Sequence, residues 1–585
     1  MYTTSTVFLK TLSQYGITHA FVNWGSDHPA FLEELERQRV TNGKPDIDII
    51  TCPNEMVALS CAQGYAQVTG KPAAVLIHVD VGTQALAGAV HNVDRCRTPV
   101  LIYAGASPFT LEGELKGSRN EFIMWLQDVP DQSAIVRQYM RYTGQIYSGK
   151  NVRQSILRGL QVATSDPKGP VYLWARRETM EEEVDETVVN TSVESHHWGP
   201  IEPTGLNPAA SREIAFALAT AKNPLVITSY LGRNSGAVEK LVELSEKLAI
   251  PVFQSCPSAV NFPHNHPNYV DLSFGLGDNE WVRKADVILI IDSDIPYIPM
   301  HNKPRPDATI FHIDVDVLKD NMGMFHVDAT LRCKADAEVA LGQILEQLNA
   351  SAGFDIDVIQ ERAHLLVVKH SIRIKALDSA ELAFPDDGAL AVPNILGTLR
   401  KRVPRRTLVL NEGISNYPFV WNHLRPDEPG TMFSSGASSL GWGLGAAIGA
   451  SLGGKALGKE HELIVLVVGD GSFLFGVPAS AYWIARRYDT PFLTIVLNNG
   501  GWKSPKLSML GVYPSGLGSK VPGQQLTVGF GPDAPDYSQI AVAAGGAWGK
   551  RISLASELEG AISDGIRIVT EERRCAVIDC VIESI

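Results

Sequence analysis

Two polar residues that close two apolar runs carry the most pointed chemistry in this chain. Residues 463–468 are wholly apolar and break into Gly469-Asp470-Gly471, and residues 492–497 end in Asn498-Asn499. Helical spacing from about 477 to 487 fills the gap. A strand, helix, strand unit with parallel strands brings both strand ends to one edge of a sheet, where α/β proteins bind ligands. Asp470 and Asn499, 29 positions apart, then converge. A carboxylate and a neutral amide oxygen at one point suit a hard octahedral cation such as Mg²⁺. Gly469 and Gly471 let backbone amides approach a phosphate. The plainer alternative is a βαβ segment with a polar turn and no ligand.

A second segment holds one acidic residue. Pro53-Asn54-Glu55 opens a largely apolar helical stretch to Ala66, followed by Thr69-Gly70-Lys71-Pro72 and the strand-like run 73–77. A carboxyl at the head of that helix can hold or pass a proton, or it can serve only as a first-turn glutamate favoured by the helix dipole. Taken together, the two segments resemble the GDG…NN signature and the pyrimidine-binding segment of thiamine-diphosphate enzymes, with 26 residues between Gly471 and Asn498. The resemblance implies that Glu55 acts on the cofactor's aminopyrimidine, and through it activates the thiazolium carbon. It implies that Asp470, Asn499 and the Gly501 carbonyl hold Mg²⁺, with Gly469, Gly471 and Ser472 beside the diphosphate. The stretch Ser434 to Gly443 is similar to the family's turn beneath the bent cofactor. There Leu440 stands where many relatives have methionine, and the Ser438 carbonyl would face the 4′-amino group. Serines replace a commoner Gly-Thr pair.

Three α/β blocks must position these residues. The first, 1–185, has strand-like runs at 20–23, 73–77, 100–103 and 169–174 and an amphipathic helix at 7–15. The second, 206–350, has strand candidates at 225–228, 252–253, 287–291 and 309–313 and helices at 238–248 and 335–348. The third, 388–585, holds 407–410, the glycine-rich 434–454 and the unit described above. Residues 186–205, entered through an acidic stretch at 178–186, read as a linker, and 351–387 as a helical connector. The expected fold is α/β, with three doubly wound parallel-sheet domains. The arrangement resembles the pyrimidine-binding, central and diphosphate-binding domains of the acetolactate synthase, benzoylformate decarboxylase and pyruvate decarboxylase group. That resemblance covers essentially the whole chain.

Substrate-facing residues are assigned from the same resemblance. Ser26 and His78 fall on the substrate-binding serine and histidine of benzoylformate decarboxylase, and His301 falls near its other histidine. Imidazoles there can relay protons and a hydroxyl can hold a carboxylate. Gln127 fits the active-site glutamine of acetolactate synthase, and Trp502 follows the metal loop. That enzyme's Gly-Pro-Gly loop is replaced by Val79-Asp80-Val81-Gly82, and Ser508 stands where it has a tryptophan. Asp27, His28, Asp80 and His91 are expected to be solvated or capping residues.

The net charge of −13 argues against nucleic-acid binding. Seven scattered cysteines without CxxC spacing read as free thiols of a reducing compartment. No signal segment opens the chain, no run is long enough to span a bilayer, and Ile582-Glu583-Ser584-Ile585 is not the usual peroxisomal address, so the cytoplasm is expected. The expected activity is a thiamine-diphosphate- and Mg²⁺-dependent 2-oxo acid decarboxylase/carboligase. It is acetolactate synthase-like, cleaving or forming a C–C bond through an enamine. The alternative is a benzoylformate decarboxylase- or benzaldehyde lyase-like enzyme for aromatic or larger substrates. An inactive cofactor-binding scaffold is a weaker reading, and a nicotinamide enzyme lacks its GxGxxG after a strand. Substrates are 2-oxo acids or 2-hydroxy ketones. A homodimer or homotetramer is implied by the family, FAD is possible without any residue requiring it, and no membrane partner is expected.

Overall fold

Strands covered on both faces need continuous apolar runs, and the runs of this chain become the inner strands of three six-stranded parallel sheets. The computed structural model describes residues 1–275, 277–351, 353–531 and 534–584. Ala352 of the expected connector and Ile585 of the C-terminal tetrapeptide lie outside the described residues.

A short strand β1 (Tyr2–Thr3) opens the chain. The first sheet then comprises β2 (His19–Val22), β3 (Asp48–Thr51), β4 (Ala73–Ile77), β5 (Val100–Ala106), β6 (Tyr142–Gln145) and β7 (Val171–Arg176), in the order β3-β2-β4-β5-β7-β6. β8 (Glu183–Val184) returns to pair antiparallel with β1. The central sheet has β9 (Pro224–Thr228), β10 (Val252–Ser255), β11 (Tyr269–Ser273), β12 (Val287–Ile291), β13 (Thr309–Asp314) and β14 (Leu331–Lys334), in the order β11-β10-β9-β12-β13-β14. The third has β15 (Thr407–Glu412), β16 (Met432–Ser434), β17 (Leu463–Gly469), β18 (Leu493–Asn498), β19 (Trp548–Ile552) and β20 (Ala576–Val581), in the order β16-β15-β17-β18-β20-β19. The expectation of three doubly wound parallel sheets is borne out. The first and third sheets share one strand order and the central sheet has another. In an open parallel sheet, ligands bind where the order reverses. That place is between β2 and β4 in the first sheet and between β15 and β17 in the third.

The first and third domains meet along two parallel helices, Glu55–Thr69 and Trp442–Ala456. Their backbones touch because glycines line the seam. A Cβ on Gly445 would lie 2.6 Å from the Ser60 Cβ, and one on Gly64 or Gly449 would strike the backbone of Ala446 or Cys61. One buried cluster, including Val57, Cys61, Leu444 and Ile448, runs through both domains. The pairing sets the starts of the two helices side by side, with the Met56 methyl 2.9 Å from where a Gly441 Cβ would stand. A buried ion network ties in the central domain. Lys319 reaches Asp314 at 2.6 Å and Asp294 at 2.9 Å, and Arg97 of the first domain reaches Asp294 at 2.9 Å.

The acidic stretch 178–186 that enters the first expected linker is folded onto the first domain. Glu178 is buried and accepts the Phe109 and Thr110 amides at 2.8 Å, while β8 pairs with β1. The connector is helical as expected, Ile356–Leu382, and it docks on the central domain, where its Arg362 donates to the Ala249 carbonyl at 3.0 Å.

Candidate active site

At the third sheet's reversal point, β17 ends at Gly469 and Asp470 starts a short helix, Asp470–Phe475. β18 ends at Asn498, whose Nδ2 donates to Asp579 at 2.9 Å and so points away from the edge. Asn499 points toward it. The Gly501 amide donates to Asp470 Oδ2 at 2.8 Å and also lies 3.3 Å from Asn499 Oδ1. Two side-chain oxygens from separate strands are therefore focused on one point. The backbone turns through Gly500 and Gly501 at φ 79° and 151°, a left-handed path that a Cβ would oppose.

Asp470 and Asn499 are buried, and Ser472 is buried in the first turn after the strand. Burial pushes the Asp470 carboxyl up to about 6 against the pull of backbone amides from Gly471, Gly501 and Gly500. The Asp579 charge adds to the upward push. A buried carboxylate with an amide oxygen beside it and only hard oxygen donors nearby fits a divalent cation. A Cβ on Gly469 would meet nothing within 4 Å, so the edge is open there, whereas one on Gly471 would lie 2.5 Å from Trp502 Nε1. Trp502 roofs that turn and stands edge-on to Phe530, with ring centroids 4.7 Å apart.

At the first sheet's reversal point the side chains bond to one another. Asn54 caps the Glu55 helix by accepting the Val57 amide at 3.1 Å. Glu55, its first residue, is buried and accepts Asn23 Nδ2 on Oε1 at 2.8 Å. His78 leaves β4 and binds Asp27 through Nδ1 in a very short contact, while Asp27 Oδ2 lies 3.3 Å from the Val79 amide. Two glycines make the room: a Cβ on Gly25 would strike the His78 ring, and one on Gly105 would strike the Asp27 carboxylate. Burial alone would push Asp27 up, but His28 and His78 on either side hold it well below the usual carboxylate range. Burial pulls His78 down. The Asp27 hydrogen bond and charge, the Gln127 side chain and the Glu55 charge outweigh that, so the ring titrates above its ordinary value.

The structure therefore brings Glu55, His78 and Gln127 into one neighbourhood, with Ser26 part-buried next to Asp27. His301 is exposed in the turn after β12, and among the described residues no hydrogen bond or ion pair joins it to that group. Of the residues expected to be solvated or capping, Asp27, His28 and Asp80 are buried, which excludes the solvated role. His28 stands at the N-cap of the Pro29–Asn42 helix without a side-chain cap bond, and Asp80 in the first turn of the helix Val79–Ala85. A polar residue just past an apolar strand stands at the ligand edge, and that position was the available signal.

The turn leading into the Trp442 helix is gripped from both sides. From the first domain, His91 Nε2 lies 3.1 Å from Ser438 Oγ, and Asn92 donates to the Ser439 carbonyl at 2.9 Å while accepting its amide at 3.2 Å. From β15, Glu412 accepts the Gly441 amide at 2.6 Å, Trp442 at 3.1 Å and Gly443 at 2.7 Å. Ser438 is exposed and Leu440 part-buried on this clamped turn. Glu412 escaped sequence reading, although Asn411-Glu412 closes an apolar run much as Asp470 does.

Three stretches of the chain match models of thiamine pyrophosphate enzyme domains: the N-terminal TPP binding domain at 2–135, the central domain at 211–344 and the C-terminal TPP binding domain at 413–580. The chain is 23% identical to benzoylformate decarboxylase of Pseudomonas aeruginosa, covering 91% of this chain and 94% of that protein. It is 24% identical to acetolactate synthase of Bacillus subtilis, covering 86% and 82%. Among solved structures, benzoylformate decarboxylase from Polynucleobacter necessarius superposes with a TM-score of 0.77 at 20% identity, covering 100% of this chain and 99% of that one.

Proposed function

The chain belongs to the thiamine pyrophosphate enzymes, in their decarboxylase/carboligase group, and on that premise we propose a Mg²⁺-dependent, acetolactate synthase-like enzyme acting on 2-oxo acids or 2-hydroxy ketones. The observation that carries the metal assignment is the pair Asp470 Oδ2 and Asn499 Oδ1 sharing the Gly501 amide, at 2.8 and 3.3 Å. These two residues and the Gly501 carbonyl would hold Mg²⁺, with the Gly469–Ser472 turn beside the diphosphate. Thiamine diphosphate, when bound, supplies a thiazolium that stabilises negative charge on the substrate's former carbonyl carbon. Glu55 has Oε1 taken by Asn23, which leaves Oε2 to hold a proton at the pyrimidine nitrogen. The turn bearing Ser438 and Leu440 would support the cofactor's bend. Ser26 would hold the substrate carboxylate, His78 would move a proton, and Gln127 and Trp502 would wall the pocket.

A second reading, a benzoylformate decarboxylase-like enzyme, is favoured by the placement of His78 beside Ser26 on adjacent strand-end loops. One experiment separates the two: CO₂ release and product analysis with pyruvate and with benzoylformate, each with and without an aldehyde acceptor, in Mg²⁺ and thiamine diphosphate. Acetolactate from pyruvate supports the first. Benzaldehyde or a mixed acyloin from benzoylformate, with pyruvate inert, supports the second. Release of CO₂ from neither substrate under any condition counts against both.

We further propose a homodimer or homotetramer. Among the described residues no hydrogen bond joins the Glu55 group to the Asp470 group in one chain. Exposed apolar side chains follow one another in sequence just before Gln127, at Phe122, Trp125 and Leu126, and after the metal loop, at Val512, Tyr513 and Leu517, and exposed apolar patches mark association surfaces. The seven free cysteines fit a cytoplasmic location, and no helix among the described residues is long and apolar enough to cross a membrane.

A further inference from the structure

Asp27 stands outside every role assigned so far, yet it is buried to 3% exposure and bonded to the one histidine in the Glu55 group. The hydrogen-bond network fixes where the protons sit. His28 Nδ1 lies 3.2 Å from Asp27 Oδ1 and also accepts the Gly25 amide at 3.0 Å, so a backbone donor competes for it, whereas His78 Nδ1 makes the far shorter contact to Oδ1. Asp27 Oδ1 therefore takes its side-chain proton from His78 Nδ1. With Nδ1 committed, Nε2 is the nitrogen of His78 left for Gln127 and for a substrate. We propose that Asp27 is a positioning residue that locks the His78 proton onto Nδ1 and presents Nε2 as the atom that exchanges a proton with the substrate.

The chemistry balances without any added reactant. Nε2–H gives its proton to a basic atom of the substrate and recovers one from water, and Nδ1–H stays on Asp27 throughout. His78 is part-buried, with its side chain 16% exposed, so water can return the proton. Asp27, His28 and His78 also lie close enough to hold a metal ion. That use would require His28 Nδ1 and Asp27 Oδ1 to release the Gly25 amide and the His78 proton, and the network as built leaves neither free. The charged and titratable groups facing the pair are His28 on the same loop, Glu55 at the head of its helix, Tyr103 on β5 and Tyr172 on β7. Both tyrosines are raised by burial with the Asp27 charge adding, so they stay neutral as His78 titrates.

The role in catalysis rests on the decarboxylase/carboligase reading, but the proton placement does not, and the test separates them. Ring-¹⁵N-histidine spectra of the full-length protein without cofactor report the tautomer and titration of His78, assigned by loss of its signals in His78→Gln. The expected result is a neutral ring protonated on Nδ1, titrating above the ordinary histidine value, and falling by at least one pH unit in Asp27→Asn. A ring protonated on Nε2 in the unaltered protein, or one whose titration ignores Asp27→Asn, overturns the proposal. In turnover, Asp27→Asn should lower kcat roughly 10- to 100-fold with KM within about threefold, the size of effect seen when a partner orienting a histidine is removed. The alkaline limb of the pH profile, where the imidazolium donor is lost, should move to lower pH. A KM rise alone, with kcat and the profile unmoved, overturns the positioning role whatever the spectra show. Absence of turnover in the unaltered protein would sink the functional reading instead and leave the spectra to decide the proton placement.

Discussion

The first and third domains share a strand order and a reversal point but wire their carboxylates differently. In the third domain, Asp470 takes the Gly471 and Gly501 amides and Glu412 takes three amides from Gly441 to Gly443. In the first domain, Glu55 takes a side-chain amide from Asn23 and Asp27 takes an imidazole, with only one long backbone contact at 3.3 Å. Backbone amides neither gain nor lose protons in the working range, so the third domain's edge is a rigid charge cradle. Side chains such as imidazole titrate, so the first domain's edge can move protons. Topology sets where the ligand goes in both halves, and the partners of the carboxylates set what each half does to it.

The sharpest way to break this comparison is to neutralise one carboxylate on each side. Asp470→Asn should abolish Mg²⁺-dependent cofactor binding and lower turnover at least roughly 1000-fold, a loss of about 4 kcal/mol of transition-state stabilisation. Calorimetric titration of thiamine diphosphate with and without Mg²⁺ reads it, and unchanged affinity would remove the cradle from the metal site. Glu55→Gln should behave oppositely. Cofactor and Mg²⁺ affinity should stay within a few-fold while turnover drops roughly 10²- to 10⁴-fold, the usual range for a lost acid–base group. If both variants lose binding alike, the two edges do the same work and the distinction fails.

The share of this legible in the sequence follows the same division. Inner strands were visible because burial on both faces demands unbroken apolar runs. Residues 73–77 and 287–291 are strands β4 and β12 at the boundaries read from sequence. Two edge strands were not read: β6 is part-buried along its length, so burial imposes no alternation on it, and β14 does alternate half-buried Leu331 and Cys333 with exposed Arg332 and Lys334, but over only four residues. The Asp470–Asn499 pair could be read because one continuous strand, helix, strand unit fixes its geometry. Asp27 and His78 are 51 positions apart and Glu412 and Gly441 are 29 apart. Each pair meets through the reversal of strand order, which one sequence without aligned relatives cannot place. His91 and Asn92 were equally hidden, because their partner is a turn 347 residues away.

The smallest expected effect tests whether the third domain's cradle is strained by its own rigidity. Burial pushes the Glu412 carboxyl up to about 7 from an ordinary 4.5, against the pull of the Gly443, Trp442 and Gly441 amides. A carboxyl raised in the folded state keeps its proton there after the unfolded chain has lost it. Stability therefore falls as pH rises from about 4.5 to about 7 and is level above that. The full span corresponds to about 3 kcal/mol from this one group. Asp94, Asp292 and Asp470 are raised into the same window, so the total slope does not isolate Glu412. The difference between the parent and Glu412→Gln does, because the other three are common to both. Urea midpoints without cofactor at pH 5 and pH 7.5 should fall further in the parent than in Glu412→Gln. At pH 7.5 the variant should bind thiamine diphosphate roughly tenfold more weakly, since glutamine turns an N–H toward at least one of three amides that need an acceptor. Equal slopes with equal affinity would mean that Glu412 merely fills space beneath the turn. The first domain would then be the only half whose carboxylates govern function beyond the metal.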